Sequence, residues 1–336
     1  MEKEKKKQHY VPQSYLEHWA IPDKYQVYVY DKRKQRTYVS NIKDVASERY
    51  FYDIDFTGIL TENELKEYVG KKIDISHLDD EQYIENFFAH EIEGDFKKRI
   101  NKITSRISNM NSWEIKNCCF LTEEDKFNLS VHLSFQFLRV KSVRNSMIQT
   151  QNMLEKMLSD MNASQEVIDR YKLPEKHLPF LHGRMILNNN YIEELTERFS
   201  LFTWILLLNT TPQPFFTSDN PIGTIAHLKH DFLALNGFAS PGVEMYFPLS
   251  PKIMLSMVDG KYHDHLLKHE RRIIEIKNIE IVRYYNSHAL LHCDERIFSN
   301  TDDFEIAEEM IKNKPSIFEQ PRTAMSWGGK TYYPDK

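Results

Sequence analysis

Leu201-Phe202-Thr203-Trp204-Ile205-Leu206-Leu207-Leu208, Thr217-Ser218-Asp219-Asn220-Pro221 and Val243-Glu244-Met245-Tyr246-Phe247-Pro248-Leu249-Ser250-Pro251 decide the fold. The first and third read as buried strands, being short, apolar and rich in aromatic and branched residues. The middle piece is a polar motif at a strand end, where Asp and Asn before Pro signal a turn. Two readings stand side by side. The motif caps main chain, or Asp219 is a carboxylate held at a strand end for metal or acid–base work. Ser218 lacks the Gly-x-Ser-x-Gly setting of a hydrolase nucleophile.

Working outward, Ile253 to Val258 reads as another strand, ended by Asp259-Gly260. Residues 278–293 read as a helix, 295–299 as a last strand and 302–312 as a short amphipathic helix. Upstream, 173–199 is helical, broken near Pro179 and Gly183. The stretch 81–108 carries Ile84, Phe88, Ile92, Phe96, Ile100, Ile103 and Ile107 at helical spacing. Residues 109–119 interrupt it. Thr122 with Asp125 forms a capping box, opening a helix that runs to about Leu158.

That helix is apolar nearly all round, from Phe127 through Val140, which predicts burial. Asn128, His132, Gln136 and Arg139 nevertheless line one side of it. Buried polar groups cost roughly 1–3 kcal/mol each unless paired, so the stripe meets a polar partner or a cleft.

At the N-terminus, Val11 precedes a proline and Pro12 suits a helix start. His9 sits just ahead of it, where anions are favoured. Residues 25–30 and 37–39 read as a hairpin, 41–46 as a short helix and 50–52 as a third strand. Residues 53–80 are acidic and loop-like.

The composition is that of an ordinary globular protein, with 336 residues, 41% hydrophobic and 28% charged. Net charge is −5, so any nucleic-acid contact relies on local patches such as 97–106 and 268–272. Cys118, Cys119 and Cys293 fit neither zinc spacing nor a disulfide framework and read as reduced, cytoplasmic thiols. The N-terminal residues lack the apolar core of a signal peptide, and no apolar run reaches a membrane span of roughly 18–20 residues. With 10 glycines and no Walker or dinucleotide motif, a glycine-rich phosphate cradle is not expected.

Gln8-His9-Tyr10-Val11-Pro12-Gln13, Phe51-Tyr52-Asp53, Glu85, Glu93, Gln136-Phe137-Leu138-Arg139, Trp204, the Thr217–Pro221 motif, Phe247-Pro248-Leu249-Ser250-Pro251 and Asn286 together resemble the bacterial domain of unknown function 4238. Trp19 stands where that family tends to have Phe, a packing change. The resemblance implies that the motifs belong to one domain and names no reaction.

The expected architecture is α+β: a small N-terminal antiparallel sheet, a helical middle and a mostly antiparallel C-terminal sheet with helices. Residues 1–8 are a tail. Residues 9–313 form one domain, with a hairpin lobe (9–53), a helical part (81–198) and a β-rich part (199–300). Residues 314–336 are irregular. The functional expectation is a metal-assisted nuclease or phosphodiesterase. In it His9, Asp219, Asn220, Gln136 and Arg139 are catalytic, and Gln13, Ser218 and Arg144 bind substrate. Asp219 and Glu93 hold magnesium or manganese, and the partner is nucleic acid or a phosphate-containing small molecule. The alternative is a non-catalytic binding or sensor module whose motifs are structural.

Overall fold

The structure, a computed structural model, describes residues 5–54, 81–174, 177–228, 237–313, 325–327 and 330–333. The chain opens with β1 (Lys7–His9), α1 (Gln13–Leu16), β2 (Gln26–Asp31), β3 (Arg36–Asn41) and β4 (Ser47–Arg49). The helical middle holds α2 (Tyr83–Phe87), a π-turn (Phe88–Ile92), α3 (Glu93–Ser108), α4 (Ser112–Asn117), α5 (Glu123–Arg139), α6 (Lys141–Asp160), α7 (Gln165–Tyr171), α8 (Leu178–Ile186) and α9 (Asn189–Leu201). Then come β5 (Thr203–Asn209), β6 (Thr217–Ser218), β7 (Gly223–Ala226), β8 (Val243–Ser250), β9 (Ile253–Val258), β10 (Arg272–Ile276), α10 (Ile279–His292), β11 (Arg296–Ser299) and α11 (Glu305–Asn313). The α+β expectation holds.

A five-stranded sheet, ordered β10-β5-β9-β8-β7, is antiparallel except for the parallel edge pair β10 and β5. Its strands alternate as period-2 burial requires. Trp204, Leu206, Met245, Phe247, Leu255 and Met257 join the main core with the helical layer. Ile205, Leu207, Tyr246, Met254 and Val258 face the other way, with Val282 and Tyr285 of α10. A four-stranded antiparallel sheet, ordered β3-β2-β11-β6, joins the N-terminal hairpin to the C-terminal third.

Several expectations shift. The hairpin forms, but its next neighbour is β11. Residues 50–52 are no strand: Tyr50 turns to φ 54°, ending β4. β4 pairs instead with β1, which begins at Lys7 inside the expected tail. The short helix at 41–46 is one 3₁₀ turn, Ile42–Asp44. Residues 109–119 hold α4, opened by a capping box between Asn111 and Glu114. The capping box at Thr122 and Asp125 forms.

The long helix ends at Arg139, with Val140 extended before α6. Its last carbonyls are claimed from afar. The Tyr52 hydroxyl donates to the Arg139 carbonyl at 2.6 Å, and His182 Nε2 to that of Leu138 at 2.7 Å. Phe127, read as buried, is exposed on the first turns of α5. Gly183 lies within α8 rather than breaking it; a Cβ there would come within 2.4 Å of the Ile84 side chain. In the tail, Met325–Trp327 pairs with Lys330–Tyr332, labelled β12 and β13. The loop expected up to residue 80 lies, from residue 55, outside the described residues.

Candidate functional site

The polar stripe of α5 meets α3 and the N-terminal motif. His132 Nε2 lies 2.7 Å from an Asp95 carboxylate oxygen. The Gln136 amide donates to the Tyr10 carbonyl at 3.1 Å. Arg139 donates to the His9 carbonyl and, at 2.8 Å, to Glu93, and its guanidinium lies 3.9 Å from the Phe88 ring centre. Asn128 stays half-buried at the edge. The π-turn between Glu85 and Glu93 puts both carboxylates in the field of Arg139. Burial pushes Glu85 up to about 7, against the pull of Arg139.

His9 is buried in this cluster. The Gln13 amide approaches Nδ1 at 3.4 Å, and Gln13 accepts from the Tyr25 hydroxyl at 3.2 Å. His9 Nε2 is buried without a hydrogen-bond partner. Burial takes the imidazole down to about 4, with Glu93 and the Lys43 carbonyl acting the other way and Arg139 adding to the drop. Arg144 stands apart from His9, donating to His182 Nδ1 at 3.1 Å and stacking 3.8 Å from the Phe51 ring centre. Burial lowers it to about 10.

The Thr217–Pro221 motif forms a separate knot. The two carboxylate oxygens of Asp219 accept from the main-chain N–H groups of Asp294, Glu295 and Arg296 at 2.8, 2.8 and 2.9 Å. Burial, helped by Asp294, pushes Asp219 up to about 7, while the N–H donors pull the other way. Ser218 Oγ donates to the Asn220 carbonyl, and the Asn220 amide donates to the His292 carbonyl at 3.0 Å. Lys32, fully buried, donates to the Cys293 carbonyl at 2.7 Å. Both ends of the turn between α10 and β11 are therefore held. Asn286 of α10 likewise accepts from the Phe216 N–H and donates to the Pro214 carbonyl. Tyr15 and Trp19 tie α1 to the same region through the carbonyls of Pro248 and Phe215.

His9, Gln13, Gln136, Arg139 and Glu93 thus come together, while Ser218, Asp219 and Asn220 gather around residues 292–296. Among the described residues, no three His, Cys, Asp or Glu side chains stand together as a metal ion would need.

A further cluster escaped the sequence reading. Glu244 of β8 is buried and accepts from Ser256 Oγ at 2.7 Å and the Tyr285 hydroxyl at 2.6 Å. Its other oxygen lies 2.8 Å from His227 Nε2. Burial alone would raise this carboxylate, but the three donors hold it below the usual range. The signal was a single charge inside the apolar run from Val243 to Leu249, which demands a partner.

The fold and its knots define a class: an α+β protein whose N-terminal strand, helical layer and C-terminal sheets are tied by side chains bonded to distant main chain. Residues 7–303 match the family model described as Protein of unknown function (DUF4238), and the chain belongs to that family. Comparison with curated proteins and with solved structures finds no match. No helix of the described residues is long and apolar enough to cross a membrane.

Proposed function

We propose that the chain is a non-catalytic binding module whose signature motifs brace the fold. One observation carries this reading. Asp219, Asn220, Gln136 and Asn286 each bond main chain of a distant segment, with Asp219 reaching across 75–77 residues. A carboxylate filled by three N–H donors has little capacity left for substrate. The ligand would enter the cleft between α5, α8 and α9, about 560 Å³ in volume. Leu138, Leu195, Leu201 and Phe238 line it, and Glu194 and Arg198 stand at its rim. Size and lining suit a small, mainly apolar molecule. The free thiols of Cys118, Cys119 and Cys293 agree with a cytoplasmic setting.

The hydrolase reading has one observation of its own, the unpartnered His9 Nε2 beside Arg139 and Glu93. In that reading His9 is the base, and Gln136 and Arg139 steady the developing charge of a nucleic acid or other phosphodiester. Of the residues considered for metal and substrate, Glu93 and Gln13 stand with His9 in that reading, while Asp219, Ser218 and Arg144 are bonded elsewhere.

Two measurements decide between them. Wild type, His9→Ala and Asp219→Ala, each checked for folding by circular dichroism, are assayed on DNA, RNA and bis(p-nitrophenyl) phosphate with magnesium or manganese. The module reading expects no turnover and earlier melting of both variants; hydrolysis by wild type that folded variants lose overturns it. Nile red titration should saturate on wild type and fail on Leu201→Asp, a change at an exposed wall residue. Equal binding by both removes the cleft from the proposal.

A further inference from the structure

Cys118 and Cys119 are adjacent in the chain and lie outside any regular element. α4 ends at Asn117, and Cys118 leaves it extended, at φ −83° and ψ 140°. The next two residues are fixed, since the Phe120 and Leu121 N–H groups both donate to the Arg271 carbonyl, at 2.8 and 3.2 Å. The Arg272 guanidinium donates to the Asn117 carbonyl at 3.1 Å. The chain entering β10 therefore brackets the two thiols on both sides. Within that bracket they differ. Cys119 is exposed, its Sγ facing the carbonyls of Leu121 and Arg271 at 3.6 and 3.9 Å, and Cys118 is half-buried. Cys293 is unlike either, being fully buried with its Sγ donating to the Leu290 carbonyl at 3.2 Å.

An accessible thiol beside a second thiol is the arrangement of reversible oxidation, in which one sulfur meets the oxidant and the other resolves the product. We propose that Cys118 and Cys119 form a peroxide-responsive modification site that closes to a vicinal disulfide and reopens on reduction. Cys119 Sγ attacks hydrogen peroxide and breaks its O–O bond, giving a sulfenic acid and one water; the sulfur is oxidised and the peroxide reduced. Cys118 Sγ then attacks Cys119 Sγ. The S–S bond forms, and the hydroxyl leaves with the Cys118 proton as a second water. Cα atoms adjacent across a trans peptide stand about 3.8 Å apart, short of the roughly 4.4–6.8 Å of ordinary disulfides. Such a bond is strained and easily reduced, which suits a transient link rather than a structural staple. Oxidation also removes the thiol hydrogen that Cys119 directs at the Leu121 and Arg271 carbonyls. The site is independent of the module reading and of its cleft.

The test exposes the full, reduced chain to stoichiometric hydrogen peroxide and follows free thiols and tryptic masses. Cleavage after Lys116 and Lys126 releases both cysteines in one peptide, apart from Cys293. The proposal expects the three free thiols of wild type to fall to one, with that peptide lighter by two hydrogens, and dithiothreitol to restore both. Cys118→Ser should stop at the sulfenic acid, trapped by dimedone on Cys119. Cys119→Ser should keep its Cys118 thiol under the same treatment. Both substitutions lie outside the core, and circular dichroism checks that the variants fold. Wild type that keeps all three thiols, passes to sulfinic acid without the linked peptide, or links one chain to another overturns the proposal. Loss of the Cys118 thiol from Cys119→Ser at the wild-type rate overturns it as well.

Discussion

His9 shows how one residue supports two readings. Its carbonyl anchors Arg139 while its ring sits neutral beside that guanidinium, at about 4 against an ordinary 6.5. As pH falls below 6.5 the unfolded chain takes up this proton and the folded chain does not. Stability linked to His9 is therefore complete above that value and is lost as pH falls toward 4. Asp219 acts oppositely, since its folded value of about 7 exceeds its ordinary 3.8. Comparing wild type with His9→Gln at each pH cancels that contribution. The stability of wild type relative to the variant should fall by up to ~3 kcal/mol from about pH 6.5 to about pH 4. Urea titrations at several pH values measure it, and a gap constant with pH refutes it. Among single residues, the sequence showed which polar groups needed partners but not which partners. The Arg139 stripe and Asp219 stood out because polar groups rarely enter buried elements unpaired. Glu244 and His227 did not, because Ser256 and Tyr285 arrive from other elements. Trp19 proved to be more than a packing change, as its indole N–H donates to the Phe215 carbonyl at 2.9 Å, a bond that Phe lacks.

At the scale of elements, local signals were legible and distant ones were not. The hairpin, the Thr122 cap and strands β5, β8 and β9 follow from periodicity and turn chemistry, whereas β7 lies in a stretch that reads as loop. The end of α5 did not, because Tyr52 and His182 close it from 87 and 44 residues away. The residues at 50–52 misled because an aromatic run resembles a strand, while the backbone at Tyr50 turns left-handed. The β7–β8 pair carries a sharper expectation. Gly223 faces Tyr246 across the ladder, and a Cβ there would lie 2.1 Å from that ring. Tyr246 is buried between Tyr285 and His292, so it has little room to retreat. Gly223→Ala should destabilise by roughly 1–3 kcal/mol, with a lower melting temperature. A variant that melts like wild type would show that the ring moves freely.

Across the whole molecule, the knots tie together pieces far apart in sequence. The Gln8 side chain holds the Tyr52 N–H and Asp53, Arg139 holds the His9 carbonyl, and Asp219 and Lys32 hold the turn before β11. The expectation is that amides of residues 8–10 and 294–296 exchange with solvent only through global unfolding. Native-state hydrogen exchange in dilute denaturant checks this; exchange at 8–10 well before the β5–β9 core would show that the N-terminal strand detaches by itself.

β2 takes β11 as its neighbour, and about 265 residues separate them in the chain. At roughly 5–20 residues per second, a ribosome needs on the order of ten to fifty seconds to deliver one after the other. Throughout that interval the early hairpin has an unpaired edge and an uncovered apolar face. Fragments that begin at the N-terminus and end between residues 50 and 290 are therefore expected to aggregate rather than fold, which sedimentation of such fragments would check.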